Sequence, residues 1–228
     1  MAPPAQLHVE RGGRVTWLRG GVGELWRLER GAEGWRATRS SVPAGSWLAS
    51  DERGAAQVAA PDEVGGDVTA WLRHPRGAVD VVGVRDALEV RERDRAPRRY
   101  PIAVAALLLS PDLRRVYVVS SSGAIFVVPA APGGAPAPLD VELRGALSAV
   151  RGAALAPAGL VLLADDAVVG VNLRTKQATR LFACAPAPND EVAIAVDHRG
   201  ELYLASSGGL WVRRSDGEEL ARWLLPES

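Results

Sequence analysis

An internal repeat is the feature of this 228-residue sequence that most constrains its fold. Segments 48–59 and 194–205 both read as apolar and small residues, an Asp, two polar residues and a Gly, followed by a new alternating run. Segments 107–119 and 153–164 repeat this unit with altered turns, and segment 11–18 reads as a degenerate first copy. The turns of these copies lie at Gly13, Gly54, Arg114, Gly159 and Gly200. Three of the four intervals are close to the length of one four-stranded propeller blade, about 40 to 45 residues.

The local pattern between the turns has the period of a β-strand. Short apolar or β-branched runs are bounded by Gly, Pro, Ser or Asp, as at 116–119 and 159–163, and these features predict strands joined by tight turns. A helical stripe longer than about two turns is absent from the sequence. The charged segment 85–95 is the best helix candidate, but Leu88 and Val90 alternate with charged residues there, so we predict an edge strand.

These patterns predict an all-β fold, a β-propeller of about five four-stranded blades in a single domain. The wide interval between Gly54 and Arg114 leaves room for an extra or irregular blade, so six blades remain open. The predicted blades cover residues 7–40, 46–95, 102–143, 147–182 and 191–226. A β-sandwich is the alternative fold, but a sandwich does not require the repeat.

The amino-acid composition of the chain argues against several classes of function. The 27 basic residues are balanced by 27 acidic ones, which argues against a charge-driven nucleic-acid binder. The longest apolar stretch, 102–109, is too short for a membrane helix, no signal peptide is evident, and Cys184 is the single cysteine, so we expect a cytoplasmic protein. All basic residues except Lys176 are Arg, which indicates a GC-rich, bacterial coding genome and a surface suited to protein contacts.

The last repeat resembles known propellers. Segments 192–205, 208–212 and 216–220 look like the blades of the gluconolactonase/senescence-marker and NHL-repeat propellers, and segment 109–119 is similar to a central blade of the same lactonases. The resemblance covers about residues 102–226. For the lactonases it implies a divalent cation at the axis, held by carboxylate and amide oxygens.

Two ligand positions of the lactonase pattern are occupied here by Ala105 and Val192, whose side chains cannot bind a metal. The nearby Asn189, Asp190 and Glu191 would replace them only after a shift in strand register. We therefore expect no metal, no cofactor and no catalytic residue. A cation-dependent, lactonase-like hydrolase with displaced ligands remains the alternative.

A second resemblance rests on size, Arg-rich composition and weak repeats. In these respects the chain is similar to the β-propeller (bpX) components of bacterial systems that contain a MoxR-type AAA+ ATPase and a von Willebrand A domain protein. That resemblance implies a non-catalytic scaffold or recognition subunit with a protein partner, and no nucleic-acid or membrane partner.

Two sets of residues are candidates for partner binding. Trp17, Trp26 and Trp35 recur every nine residues, so a meander places one on each of three strands. If exposed, they would form an anchor for a protein or a glycan, and otherwise they would form a Trp-rich core. The second set contains Arg91, Arg93 and Arg95. This set would form a polar docking edge, or would protect an outer strand from pairing with another chain.

Overall fold

The computed structural model describes residues 6–10, 14–19, 23–50, 55–60, 67–74, 79–141, 147, 149–186, 190, 192–206 and 209–224. Within these residues the chain forms 22 β-strands and no helix. Accordingly, this part of the chain has no helix with the length and apolarity needed to cross a membrane.

The strands form six antiparallel sheets in chain order. Sheet 1 contains β1 (Gln6–Val9), β2 (Val15–Arg19), β3 (Glu24–Gly31) and β4 (Gly34–Ser41). Sheet 2 contains β5 (Trp47–Ser50) and β6 (Ala56–Ala59). Sheet 3 contains β7 (Val68–Arg73), β8 (Val79–Val84), β9 (Ala87–Glu92) and β10 (Arg98–Tyr100). Sheet 4 contains β11 (Val104–Leu109), β12 (Arg115–Ser120), β13 (Ile125–Pro129) and β14 (Ala137–Leu139). Sheet 5 contains β15 (Val150–Ala156), β16 (Gly159–Ala164), β17 (Ala167–Asn172) and β18 (Gln177–Ala183). Sheet 6 contains β19 (Ala193–Val196), β20 (Leu202–Ser206), β21 (Gly209–Arg213) and β22 (Glu219–Leu224).

The first strands of the six sheets contact one another in a closed circle. Strand β1 contacts β5, and the contacts continue through β7, β11, β15 and β19 back to β1. The later strands of each sheet follow the first in order, so the last strand lies farthest from the circle. This all-β arrangement of sheets is compatible with a β-propeller.

The number of sheets corrects the prediction of five blades. The described residues form six sheets, and five of these have four strands. The predicted blade 46–95 contains sheet 2 and most of sheet 3. The extra sheet lies in the wide interval between Gly54 and Arg114, where an irregular blade had been left open. The prediction failed because sheet 2, in the described part of the chain, is a single short hairpin, which the sequence analysis assigned to the same blade as sheet 3.

The repeated turn has a specific hydrogen-bonded basis. In sheet 6, Oδ1 of Asp197 accepts hydrogen bonds from the backbone N–H groups of Arg199 (2.8 Å) and Glu201 (3.0 Å). In sheet 4, Ser110 occupies the corresponding position, and its Oγ accepts a hydrogen bond from the backbone N–H of Arg115 (2.9 Å). Short polar side chains at this position satisfy backbone donors that the turn leaves unpaired. The turn fixes the register of β19 with β20 and of β11 with β12.

Most of the core lies between adjacent sheets. Separate clusters of buried apolar residues fill the interfaces of sheets 2 and 3, 3 and 4, 4 and 5, 5 and 6, and 6 and 1. Strand alternation explains this pattern, because alternate residues of each strand face opposite neighbours. Leu88 and Val90 of β9 face sheet 4, for example, which confirms that this charged segment forms a strand. The prediction of an edge strand is wrong, because β9 pairs with β8 on one side and with β10 on the other.

Sheets 6 and 1 close the circle. Trp26 packs against Trp223 with ring centroids 5.3 Å apart. Nearby, Arg30 forms an ion pair with Glu201 (2.7 Å). The side chain of Tyr203 is fully buried in the same interface. Aromatic packing and a part-buried ion pair therefore join the first and last sheets of the described chain.

The buried phenol of Tyr203 predicts a loss of stability at high pH. Burial, together with the carboxylates of Asp197 and Glu201, raises the pKa of Tyr203 to about 12. The pKa of an unfolded tyrosine is about 10, so this contribution is fully present below pH 10 and is lost as the pH rises to about 12. This contribution amounts to about 3 kcal/mol once the pH is above both pKa values. Denaturant unfolding near pH 8 and pH 11 should show a smaller pH-dependent loss in Tyr203→Phe than in the parent. Tyr100→Phe is the control and should keep the parent's loss, and an equal loss in Tyr203→Phe would contradict the prediction.

The contact between sheets 1 and 2 differs from the others because it is built around a buried charge. Arg19 of β2 is 1% exposed, and its guanidinium lies over the ring of Trp47 at 5.6 Å. The Nε of Arg19 donates a hydrogen bond to Oε1 of Gln6 (3.0 Å), which also accepts one from the backbone N–H of Leu48 (2.7 Å). Gln6 thus links the buried arginine to the first strand of sheet 2.

Candidate functional site

A cavity of about 480 Å³ lies inside the circle of first strands. Residues of all six first strands line it, and most of them are Ala, Val, Leu or Ile. The polar side chains of the lining include Gln6, Thr69, Arg73 and Arg151. Such a volume and such a mixture of apolar and polar groups are typical of small-ligand sites.

The residues that line the cavity include the two positions that hold metal ligands in the lactonase pattern. Ala105 and Val192, at the two ligand positions of the lactonase pattern, both line the cavity. Within the described residues, no group of three or more His, Cys, Asp or Glu side chains is placed to hold a metal ion. Asn189 and Glu191 lie outside the described residues, and the backbone carbonyl of Asp190 accepts a hydrogen bond from Arg151.

A second candidate site is the space beside the short sheet 2. In the other five sheets, two further strands follow the second strand outward. In sheet 2, within the part of the chain that the structure describes, β6 pairs with β5 alone, so its outer edge is unpaired. Gln57 is exposed on β6, and Val58 beside it is 43% exposed. Residues 51–54 and 61–66, before and after β6 in the chain, lie outside the described residues, and we refer to the region beside the outer edge of β6, between sheets 1 and 3, as the gap.

One side of the gap is the face of sheet 1 that points away from sheet 6. Cross-strand register places Trp17, Arg27, Glu29 and Arg36 on this face, which we call the sheet 1 wall. The guanidinium of Arg27 lies over the ring of Trp17 at 5.7 Å and also forms an ion pair with Glu29. The Nε1 of Trp17 donates a hydrogen bond to Glu10 (2.7 Å). The wall is therefore polar and charged, unlike the apolar faces that meet between the other sheets.

The other side of the gap is the face of sheet 3 that points toward sheet 2. Asp80, Glu89, Arg91 and Arg99 share this face by cross-strand register, and we call it the sheet 3 wall. Arg91 forms an ion pair with Glu89 (3.0 Å). Burial raises the pKa of Asp80, and the neighbouring Arg73, 3.7 Å away, opposes that shift. This wall also carries paired charges, with Arg99 exposed at its outer end.

The structure separates the three candidate tryptophans. Trp17 is half-buried on the sheet 1 wall, whereas Trp26 and Trp35 lie on the opposite face of the same sheet. Trp26 is 8% exposed in the interface with sheet 6, and Trp35 packs against the same cluster. The alternative of a Trp-rich core therefore fits the positions of Trp26 and Trp35. The three residues do not form one exposed anchor.

The three candidate arginines are also placed differently. Arg91 lies on the sheet 3 wall, while Arg93 and Arg95 are exposed in the turn between β9 and β10. Arg95 forms an ion pair with Glu92 (3.0 Å), and that carboxylate also accepts a hydrogen bond from the backbone N–H of Gly133, in the loop between β13 and β14 of sheet 4 (2.8 Å). This backbone hydrogen bond, helped by the nearby arginines, lowers the pKa of Glu92. Arg95 therefore supports a link between sheets 3 and 4.

The sequence analysis did not single out Arg36, Arg99 or Val58, which also border the gap. Alternation along β4 and β10 could have placed each arginine on a strand face. Which strand face looks onto the gap depends on the neighbouring sheet, and no sequence pattern reports that.

Comparisons with known proteins give information about the fold of this chain and none about its function. No protein-family model matches the sequence, and no curated protein matches it. Among solved structures, a structural genomics protein of unknown function from Bacteroides thetaiotaomicron superposes with a TM-score of 0.55 at 12% sequence identity. The match covers 89% of this chain and 56% of that one, so the chain spans little more than half the length of the solved protein. At this identity the likeness is one of fold alone.

Proposed function

We propose that this chain is a non-catalytic β-propeller that binds a partner protein at the gap beside sheet 2. The observation that carries the proposal is the outer edge of β6, which pairs with no strand in the described part of the chain and is flanked by two polar walls. Natural proteins cover or blunt long exposed edges, because the unpaired backbone groups of an edge bind other chains. The side chains of Gln57 and Val58 on β6 are exposed and therefore available for contact with a partner.

The similarity in size and composition to the propeller components of MoxR-type ATPase systems supports one kind of partner. On that basis the partner is a subunit of a bacterial, cytoplasmic multi-protein assembly, and this chain is its recognition or scaffold component. Rigid propellers suit such a role because they hold a docking surface in fixed geometry.

Site-specific photo-crosslinking in the native host tests the proposal. A photoreactive amino acid at Gln57, on β6, should crosslink to one defined protein in stoichiometric amounts. The matched control is the same amino acid at Thr179, which is exposed on β18, the outermost strand of sheet 5. The proposal predicts a product at Gln57 that is absent at Thr179. No product at Gln57, or the same products at both positions, would overturn it.

A second candidate function is the binding of a small ligand or glycan in the central cavity. The volume of the cavity supports it, as do the polar groups of Gln6, Thr69 and Arg151 in an otherwise apolar lining. Trp47 and Trp71 also line the cavity, so a bound ligand should change tryptophan fluorescence. Glycans and lactones should be titrated with and without divalent cations, and thermal melts with Ca²⁺, Mg²⁺, Mn²⁺ and Zn²⁺ should accompany them. A saturable cation-dependent shift with lactone turnover would favour the hydrolase alternative, and a flat response would count against all of these ligands.

A further inference from the structure

We infer that the outer edge of β4 binds an extended, acidic segment of another protein as a fifth strand of sheet 1. Strand β4 lies within residues 23–50, a stretch of the chain that the structure describes without interruption. This edge is not the edge of β6, so a protein can bind here whether or not one binds at the gap. Three features of the structure support the inference: the length and regularity of the edge, the direction of its backbone groups, and the charge of sheet 1.

The edge of β4 is the longest and most regular among the outermost strands of the described sheets. Strand β4 pairs with β3 over eight consecutive residues without a shift in register, and it contains no proline. In contrast, β10 and β14 have three residues each, and β18 and β22 each have a register shift against the neighbouring strand. Short strands and bulges protect an edge from pairing with other chains. The edge of β4 has neither protection.

The backbone groups of alternate residues in β4 point away from the sheet. Val42 directly follows β4, and its N–H donates a hydrogen bond to the carbonyl of Gly23 (2.9 Å). Because bonding residues alternate along an antiparallel ladder, the even-numbered residues of β4 bond to β3 and the odd-numbered ones face outward. The outward N–H and C=O groups belong to Trp35, Ala37, Arg39 and Ser41. No described strand pairs with this side of β4, so these groups can pair with an added strand.

The charge of sheet 1 favours an acidic segment over other extended segments. The four strands of this sheet contain five arginines and two glutamates. Strand β4 itself contains Arg36 and Arg39, both exposed, and no acidic residue. Carboxylates on a neighbouring strand would be attracted to these arginines. A basic segment would be repelled, and a second copy of β4 would bring two further arginines to the same edge.

Both arginines of β4 retain the capacity to bind a further carboxylate. Arg36 lies opposite Glu29 of β3, but the carboxylate of Glu29 forms an ion pair with Arg27. Arg39 forms an ion pair with Glu24, and the side chain of Arg39 is still 59% exposed. A guanidinium has five N–H donors, so a single carboxylate does not saturate it. Since both arginines are on the edge strand itself, acidic side chains of a fifth strand would lie directly beside them.

The positions of Arg36 and Arg39 set the spacing of the acidic residues on the added strand. The two arginines are an odd number of residues apart, so they point to opposite faces of sheet 1. Residues directly opposite each other on neighbouring strands share a face. Two acidic residues at i and i+3 therefore lie opposite both arginines. Acidic residues at i and i+2 share one face, and only one of them has an arginine opposite it.

Titration of the isotopically labelled full chain with synthetic peptides, followed by NMR, tests the inference. The peptides have about ten residues and are rich in Thr and Val, with Glu at i and i+3, Glu at i and i+2, or Lys at i and i+3. The first should bind most tightly, with an affinity that falls as salt is added. The Lys peptide should bind at least about tenfold more weakly. When the first peptide is bound, the amides of Ala37 and Arg39 should exchange more slowly, whereas those of Arg36 and Thr38, already bonded to β3, should change little.

Two variants of the protein separate the backbone from the charge. Ala37→Pro removes an outward N–H and no hydrogen bond to β3, and proline is tolerated where an edge N–H faces solvent. It should weaken binding of the first peptide at least about tenfold and leave the melting temperature nearly unchanged. Arg36→Glu should weaken binding several-fold, and Arg93→Glu, in an exposed turn of sheet 3, should leave it unchanged. Circular dichroism and a thermal melt check the fold of each variant.

Several results would overturn the inference. They are an absence of saturable binding by the first peptide, equal binding of the Glu and Lys peptides, equal loss in Arg93→Glu, and binding without slower exchange at Ala37 and Arg39. A dimer of this chain in light scattering that Ala37→Pro disrupts would replace the acidic segment with a second copy. If Ala37→Pro lowers the melting temperature, Arg36→Glu and the exchange of the β4 amides decide the outcome. Crosslinking at Gln57 tests the proposed function separately, so failure at β4 leaves that proposal standing.

Discussion

Replacement of Arg19 with alanine should lower the free energy of unfolding by about 3 kcal/mol or more. The substitution removes one of the largest fully buried side chains of the described chain, together with its hydrogen bond to Gln6 and its contact with the ring of Trp47. The void beside Trp47 cannot be refilled without moving sheet 2 against sheet 1. For a chain of this length the melting temperature should fall by roughly 6 to 12 °C.

The control for this substitution is Arg14→Ala. Arg14 is exposed just before β2, so its truncation should change the free energy of unfolding by less than about 0.5 kcal/mol. Amide exchange gives a local readout, because the Leu48 N–H is bonded to Gln6. It should exchange faster in Arg19→Ala than in the parent. If Arg19→Ala has the melting temperature of the parent and the Leu48 amide exchanges at the parent's rate, the contact between sheets 1 and 2 does not depend on the buried arginine.

Gly159→Ala is the second substitution with a large expected effect, a loss of about 3 kcal/mol or more. Gly159 begins β16 with φ of +153°, and an added Cβ would lie 2.0 Å from the backbone carbonyl oxygen of Val171 in β17. That oxygen belongs to the ladder of sheet 5, so relief of the clash requires a shift of paired backbone.

Gly200→Ala is the control for Gly159→Ala, because it measures the cost of a positive φ angle without a steric clash. Gly200 occupies the corresponding turn of sheet 6 with φ of +82°, but an added Cβ there would meet no atom within 4 Å. It should cost only about 1 kcal/mol. Denaturant unfolding of both variants measures the difference. Similar losses in the two would mean that the clash at Gly159 relaxes without disturbing sheet 5.

The sequence predicted strands β12 and β16 well because their signals are local. The runs predicted as strands at 116–119 and 159–163 correspond to β12 and β16, with boundaries that differ by one residue. Alternation of apolar residues and the turn residues between them depend only on near neighbours in the chain. The hairpin around Asp197 is an example, since its side chain bonds to backbone groups within four residues.

The candidate site was predicted only in part, because its residues come from separate sheets. The nine-residue spacing placed Trp17, Trp26 and Trp35 on adjacent strands, but the face of each depends on register. Trp17 lies opposite Arg27 on the sheet 1 wall, whereas Trp26 lies opposite Leu18 in the core. Arg91 was singled out within its charged run, but its position across the gap from Trp17 depends on how sheets 1 and 3 are arranged.

The sequence by itself determined the all-β class, the turns and most of the strands, because alternation and turn chemistry are properties of short segments. Only the tertiary structure decided that the described residues form six sheets, that two strands of sheet 2 are described, and which sheets pack against one another. The physical reason is that packing between sheets involves residues far apart in the chain, and no local pattern encodes that arrangement.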